Sequence, residues 1–293
     1  MRKFLFFLFK VILVFIVMAV ALDFLYTSIY LDCNNRRKVG FAYTSKPKKI
    51  DVVILGSSRA DNHFVSQMFT EKGFNTFNFG MQGSRLFESD LILKILLDKK
   101  NIIKNVIVEV DLNLRSDLNE YSESNVLKFM PYLHDSKIIR DHVKDLEGGS
   151  FLYYIPFYRY IKYETKLGFR EVFFSAANKK SKELDFGGYN ALQVSDVKLE
   201  SNISNFLPGR NKYYEDIKQL CKKNNINLIA VMTPMCQNTK GTEYFEKVKN
   251  IYPEIHNYSN VVKEDKYFSS CGHMNDAGAK IFTARILKDF FKK

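Results

Sequence analysis

Four short apolar runs, Ile50–Leu55, Phe74–Asn78, Asn105–Val110 and Ile226–Met232, constrain this chain more than any other feature. The third reads NVIVEV and is apolar enough to be buried on both faces, which requires a sheet covered on both sides and favours parallel strands. Segments of helical spacing separate the runs. Leu86, Phe87, Leu91, Ile95 and Leu96 recur within Ser84–Lys100, and Tyr214, Ile217, Leu220 and Cys221 follow Lys212. Thr242–Ile251 forms another such segment, ended by Pro253, and Asp276–Phe291 closes the chain with Ile281, Phe282, Ile286 and Phe290 as its apolar stripe. Asn275 or Asp276 can cap that last helix. The rhythm predicts an α/β fold, a parallel sheet between two helical layers.

A second constraint lies at the N-terminus, where Phe4–Leu22 is apolar except for Lys10. That is close to the ~20 residues a helix needs to cross a hydrocarbon core. Arg2 and Lys3 argue for a cytoplasmic N-terminus with the body outside, against the opposing charge of Arg36, Arg37 and Lys38 on the far side. Ala19-Val20-Ala21 also fits the cleavage site of a signal peptide. Apolar residues resume at Phe24, Leu25 and Tyr26, which favours an uncleaved anchor, and on either reading the body is exported. The chain then divides into an anchor over 1–31, a basic connector over 32–49 and an α/β domain over 50–293. That domain is interrupted at about 116–208 by a largely helical insertion rich in Tyr and Phe. Its densest stretch, FLYYIPFYRYIKY from Phe151 to Tyr163, reads as core packing, with a glycan-stacking platform as the alternative.

The net charge of +12 favours anionic surfaces, whether lipid headgroups, acidic glycans or nucleic acid. The basic residues are scattered and no zinc-finger or RNA-binding signature accompanies them, so nucleic acid is not expected as a partner. Cys33, Cys221, Cys236 and Cys271 have no metal-ligand spacing, and the sequence implies neither a metal nor an organic cofactor.

The candidate chemistry sits where strands end. Asp51–His63, DVVILGSSRADNH, runs a strand into a Gly-Ser-Ser turn, with Ser58 as candidate nucleophile. Gly83 follows the second strand, Asn113 follows the third in VEVDLN, and His273 precedes the last helix in HMNDAG. Singly, each has an ordinary reading: a helix-capping turn, a glycine that turns the backbone, a loop asparagine, a surface histidine. His63, His134, His142 and His256 have no such context.

Together, and in this order, these residues resemble the SGNH (GDSL-like) hydrolase superfamily over roughly Ile50–Asn113 and Lys212–Lys293, leaving out the insertion. Gly56-Ser57-Ser58 stands for the first block, with Ser57 at the usual aspartate. Asn78-Phe79-Gly80-Met81-Gln82-Gly83 stands for the second, with Gly83 as oxyanion glycine. Asn113 matches the third, where Asp111 replaces a glycine, and His273 in HMNDAG matches the last. The acid expected three positions before the histidine is Ser270 here, so the imidazolium lacks its usual support.

The resemblance implies a three-layer SGNH/flavodoxin-like fold. Ser58 is then the nucleophile and His273 the base and acid, with Gly83 and Asn113 as oxyanion donors. For an anchored member it further implies O-acyl (acetyl) hydrolysis or transfer on a cell-envelope polysaccharide, transfer drawing on a membrane acyl-donor protein. The alternative is a catalytically silent module of the same fold that binds glycan or scaffolds envelope assembly. A structural membrane protein without a site is the third reading, and a separation of Ser58 and His273 beyond ~10 Å would favour it. Cys236 and Cys271 fall on the same rim as His273, so a disulfide there could hold the histidine loop; two unpaired buried thiols are the alternative.

Overall fold

The computed structural model describes residues 1–144, 146–194 and 199–292. It divides into two compact units. One joins Met1–Thr44 to Val126–Lys180, and the other joins Ser45–Asn125 to Ser181–Lys293. The N-terminal helix and the middle of the insertion therefore share a unit, while the insertion's flanks belong with the sheet.

The sheet unit contains β1 (Lys49–Leu55), β2 (Thr76–Asn78), β3 (Ile102–Glu109), β4 (Ser201–Asn202), β5 (Asn227–Met232), β6 (Thr239–Lys240), β7 (His256–Asn257), β8 (Phe268–Ser270) and β9 (His273–Met274). Five of these form one parallel sheet in the order β2-β1-β3-β5-β7. Register is set at the centre, where Ile54 pairs with Ile107 and Ile107 with Ile229. Side chains alternate between faces, so a two-sided apolar strand feeds two cores. Val52, Ile54, Ile107, Ile229 and Val231 pack with Phe64, just past the helix Ser58–His63, and with Phe69, Phe282, Ile286 and Leu287 from the helices Ser66–Glu71 and Asp276–Phe290. On the other face Val53, Leu55, Val106 and Val108 are equally buried. The helices Leu86–Asp98 and Lys212–Lys223 pack on each other and against β3 and β5. Full burial of one such side chain contributes ~1.5–3 kcal/mol.

Local sequence explains the helix starts. Asn275 Oδ1 accepts from the Gly278 N–H at 3.1 Å and caps the last helix, and Asn211 accepts from the Tyr213 and Tyr214 N–H groups. The second strand is shorter than Phe74–Asn78. The Phe74 N–H turns back to the Phe69 carbonyl at 3.0 Å, and its ring packs on Phe291 instead of extending the sheet. β7 was not foreseen, since two residues carry no periodicity. The insertion leaves and returns at one point: Arg115 and Pro208 form a bridge, the Ser116 N–H bonds the Leu207 carbonyl, and the Gly209 N–H bonds the Leu114 carbonyl, each at 2.8 Å. Its described residues are mostly short helices, apart from β4 pairing with β6.

In the other unit Arg2–Asp32 is one helix of 31 residues, long and apolar enough to cross a membrane, properties that a signal sequence shares. Its C-terminal part is not bare. Asp23 pairs with the buried Arg159 at 2.7 Å and accepts the Phe157 N–H at 2.7 Å, and Tyr26 packs edge-on against Phe157. The Tyr30 hydroxyl bonds the Leu167 carbonyl at 3.0 Å. The connector holds a short helix, Lys38–Tyr43, with Val39 and Ala42 buried. The aromatic stretch at 151–163 is core only in part. Leu152, Arg159 and Tyr160 are buried, whereas Phe151, Tyr154, Ile155 and Ile161 are exposed.

Candidate active site

β1 ends at Leu55, and Gly56 turns the chain with φ +141°, a conformation that disfavours any side chain. A Cβ there would also meet Glu109 and Ala60 at under 3 Å. Ser57 caps the helix Ser58–His63, its Oγ accepting the Arg59 N–H at 3.2 Å. Ser58 thus takes the first helical position, where the N–H has no intrahelical partner and the side chain stands clear of the strand.

From the other end of the sequence, β8 and β9 form a tight antiparallel hairpin through Cys271 and Gly272 that sets Ser270 opposite His273. Ser58 Oγ lies 2.7 Å from His273 Nε2, and Ser270 Oγ lies 3.0 Å from His273 Nδ1. Both partners are hydroxyls, able to donate or accept, so the two contacts accommodate the tautomer that a base requires, with Nδ1–H donating to Ser270 and Nε2 accepting from Ser58. Burial, and after it the Arg59 guanidinium, push the His273 pKa down to about 4. The ring is therefore neutral at pH 7 and able to take a proton. Ser270 gives Nδ1 a hydrogen-bond partner but contributes no negative charge.

The hairpin is fastened twice. Cys236, four residues past β5, forms a disulfide with Cys271, and the Cys236 N–H bonds the Cys271 carbonyl at 3.0 Å. Cys33 and Cys221 are free and buried. The second fastening corrects the sequence reading of His63, which had no assigned context. His63 is fully buried, its Nε2 accepts the Met274 N–H at 3.0 Å, and its Nδ1 faces Thr233 Oγ1 at 2.9 Å. Its proton therefore resides on Nδ1. Burial first, then the charges of Arg59 and His273, lower its pKa well below the usual histidine value, so it stays neutral.

Beneath the serine turn lies a charged network that sequence reasoning missed. Arg59 pairs with Asp111 at 2.5 Å and donates to the Thr233 and Pro234 carbonyls. Asp111 accepts the Thr233 N–H and hydroxyl at 2.6 and 2.7 Å. Glu109 accepts the Ser57 N–H at 2.8 Å and its hydroxyl at 2.6 Å. Burial, then the charge of Asp111, raises the Glu109 pKa to about 7; burial also raises that of Asp111, against the pull of Arg59. The available signal was two acids, Glu109 and Asp111, in VEVD at the end of an otherwise apolar strand.

Gly83 and Asn113 lie on the loops after β2 and β3, at the same carboxyl end of the sheet as Ser58. Gly83 has φ +73°, and the preceding Gln82 carbonyl is held by Asn125 Nδ2 at 2.9 Å. Asn113 sits in a 3₁₀ turn, Asp111–Leu114, anchored by its own N–H to the Val110 carbonyl. Asn78 acts in support: its Nδ2 bonds the Ala60 and Phe64 carbonyls while its Oδ1 accepts the Gly80 N–H. Among the described residues no group of His, Cys, Asp and Glu is arranged to hold a metal ion. Compared with models of known families and with curated proteins, the chain matches none.

Proposed function

We propose that the protein is a membrane-anchored serine esterase or O-acyltransferase of SGNH-like fold. The single observation that carries this reading is the 2.7 Å contact between Ser58 Oγ and a neutral His273. His273 removes the Ser58 proton as the hydroxyl attacks an acyl carbonyl, and the imidazolium then protonates the leaving group. The Ser58 and Gly83 N–H groups and the Asn113 carboxamide face the oxyanion. Water or a sugar hydroxyl then releases the acyl group from Ser58. The helix Arg2–Asp32 anchors the chain and holds the catalytic unit outside the cytoplasm, so the acceptor is a cell-envelope polysaccharide and a membrane protein supplies acyl groups for transfer.

The test is Ser58→Ala in the full chain, assayed for ester hydrolysis and for acylation of surface glycan. A loss of about three orders of magnitude or more in either supports the proposal. Unchanged activity in both, with glycan binding retained, refutes it. That outcome would select the silent, glycan-binding reading, which the hydroxyl of Ser270 in place of a carboxylate at His273 Nδ1 favours.

A further inference from the structure

The stretch 151–163 has no part in the proposed chemistry, yet it exposes more apolar surface than a water-facing segment normally does. Phe151 is 58 %, Tyr154 76 %, Ile155 44 % and Ile161 62 % exposed, within eleven consecutive residues. Scattered apolar residues need no explanation, but a cluster of this density marks a binding surface. Its neighbour identifies the occupant. The same stretch is clamped to the apolar N-terminal helix by the Asp23–Arg159 pair, by Tyr26 against Phe157 and by the 2.8 Å contact between the Thr27 and Tyr160 hydroxyls.

Height along that helix decides the matter. At 1.5 Å per residue, Phe4 to Asp23 spans about 29 Å, against a hydrocarbon core of about 30 Å. Asp23 thus falls at the membrane boundary, where a carboxylate needs a partner, and Arg159 supplies it with its side chain wholly buried. Beyond that level Phe24 and Leu25 remain exposed on the helix, continuous in sequence with its bare apolar surface. Residues 151–180 carry six basic side chains against two acidic ones, a balance suited to anionic headgroups. Aromatic residues with flanking cations are the composition of interfacial anchors. Isoleucines offer nothing to a sugar ring, which argues against a glycan platform.

We infer that residues 151–163 form an interfacial anchor that lies in the headgroup region of the same anionic bilayer the N-terminal helix enters. The inference rests on the membrane-anchored reading above. It sets the insertion against the bilayer by two attachments, the helix and this stretch.

The chain contains no tryptophan, so single substitutions give clean reporters. Phe15→Trp, Tyr154→Trp and Ile161→Trp would each be reconstituted as full-length protein in phosphatidylcholine–phosphatidylglycerol vesicles. The acyl chains would be brominated either near the headgroup or near the chain end. The Tyr154→Trp and Ile161→Trp variants should lose most of their emission to the shallow quencher and little to the deep one, with the order reversed for Phe15→Trp. Quenching of Phe15→Trp without quenching of the other two overturns this inference and leaves the membrane span standing. Such a result would leave a protein partner as the occupant. An unquenched Phe15→Trp refutes the span, and this inference with it.

Discussion

Ser270→Asp introduces a carboxylate where His273 has only a hydroxyl, and the structure sets its expected effect. Ser270 Oγ is 3.0 Å from His273 Nδ1, so a carboxylate oxygen at that place meets the imidazolium directly. At that distance the attraction ranges from ~1 kcal/mol in water to ~5 kcal/mol at an effective dielectric of 20. Ser270 is exposed, which puts the gain near the lower end, ~1–2 kcal/mol. A gain of that size moves the titration of His273 upward from about 4 by about one pH unit. It accelerates a step limited by imidazolium formation about tenfold. The assay is kcat/KM for an aryl ester against pH, alongside the imidazole shifts by NMR. The acidic limb should lie near pH 4 in the parent protein and about one unit higher in the variant. An NMR titration that does not move would show that Ser270 is not the Nδ1 partner. A titration that moves with no gain in rate would show that the missing charge does not limit the site.

Cys236→Ser opens a loop of 35 residues, and chain entropy sets the loss of stability at ~4 kcal/mol. Chemical denaturation measures this directly, and the parent protein under reductant should behave like the variant. Glu109→Gln tests the buried acid. Its folded pKa is raised to about 7, so its contribution is fully present below the unfolded value of about 4.5 and is lost as pH rises through 7. Denaturant unfolding should show the parent losing stability across that window, while the variant shows a smaller decline; equal slopes would place the effect elsewhere.

The strands β1, β3 and β5 were legible because burial on both faces leaves runs of Val, Ile and Leu that few other elements produce. Ser58 and His273 were legible for a related reason, since one follows a strand and the other precedes a capped helix, both local signals. The pairing of Cys236 with Cys271 was one of two readings that their common rim left open, and the structure has the disulfide. Arg59, Asp111, Thr233 and His63 were not legible: their contacts join residues 52 to 211 positions apart, and no local pattern records such a network. Nor could the sequence show that the middle of the insertion, over Val126–Lys180, shares a unit with the N-terminal helix. The Asp23–Arg159 pair links residues 136 apart. The two-residue strand β7 and the hairpin of β8 and β9 are too short to have a period.

The site separates two tasks that one carboxylate commonly performs together. Orientation of His273 is over-determined: the hairpin places Ser270 opposite it, the disulfide ties Cys271 to the segment after β5, and neutral His63 holds the next backbone N–H. Charge is supplied elsewhere. The buried acids Glu109 and Asp111 serve the serine turn, and Arg59 holds a positive charge beneath the hairpin, its Nη1 3.6 Å from where a Gly272 Cβ would stand. On the proposed mechanism a base so placed takes the Ser58 proton with good geometry and poor driving force, because its conjugate acid is destabilised. It gains most when the carbonyl is already activated. On the proposed mechanism this favours thioesters or aryl esters as acyl donors over simple alkyl esters. Adding a carboxylate at position 270 removes the reason for that preference, so the same substitution that raises the rate should narrow the gap between donors.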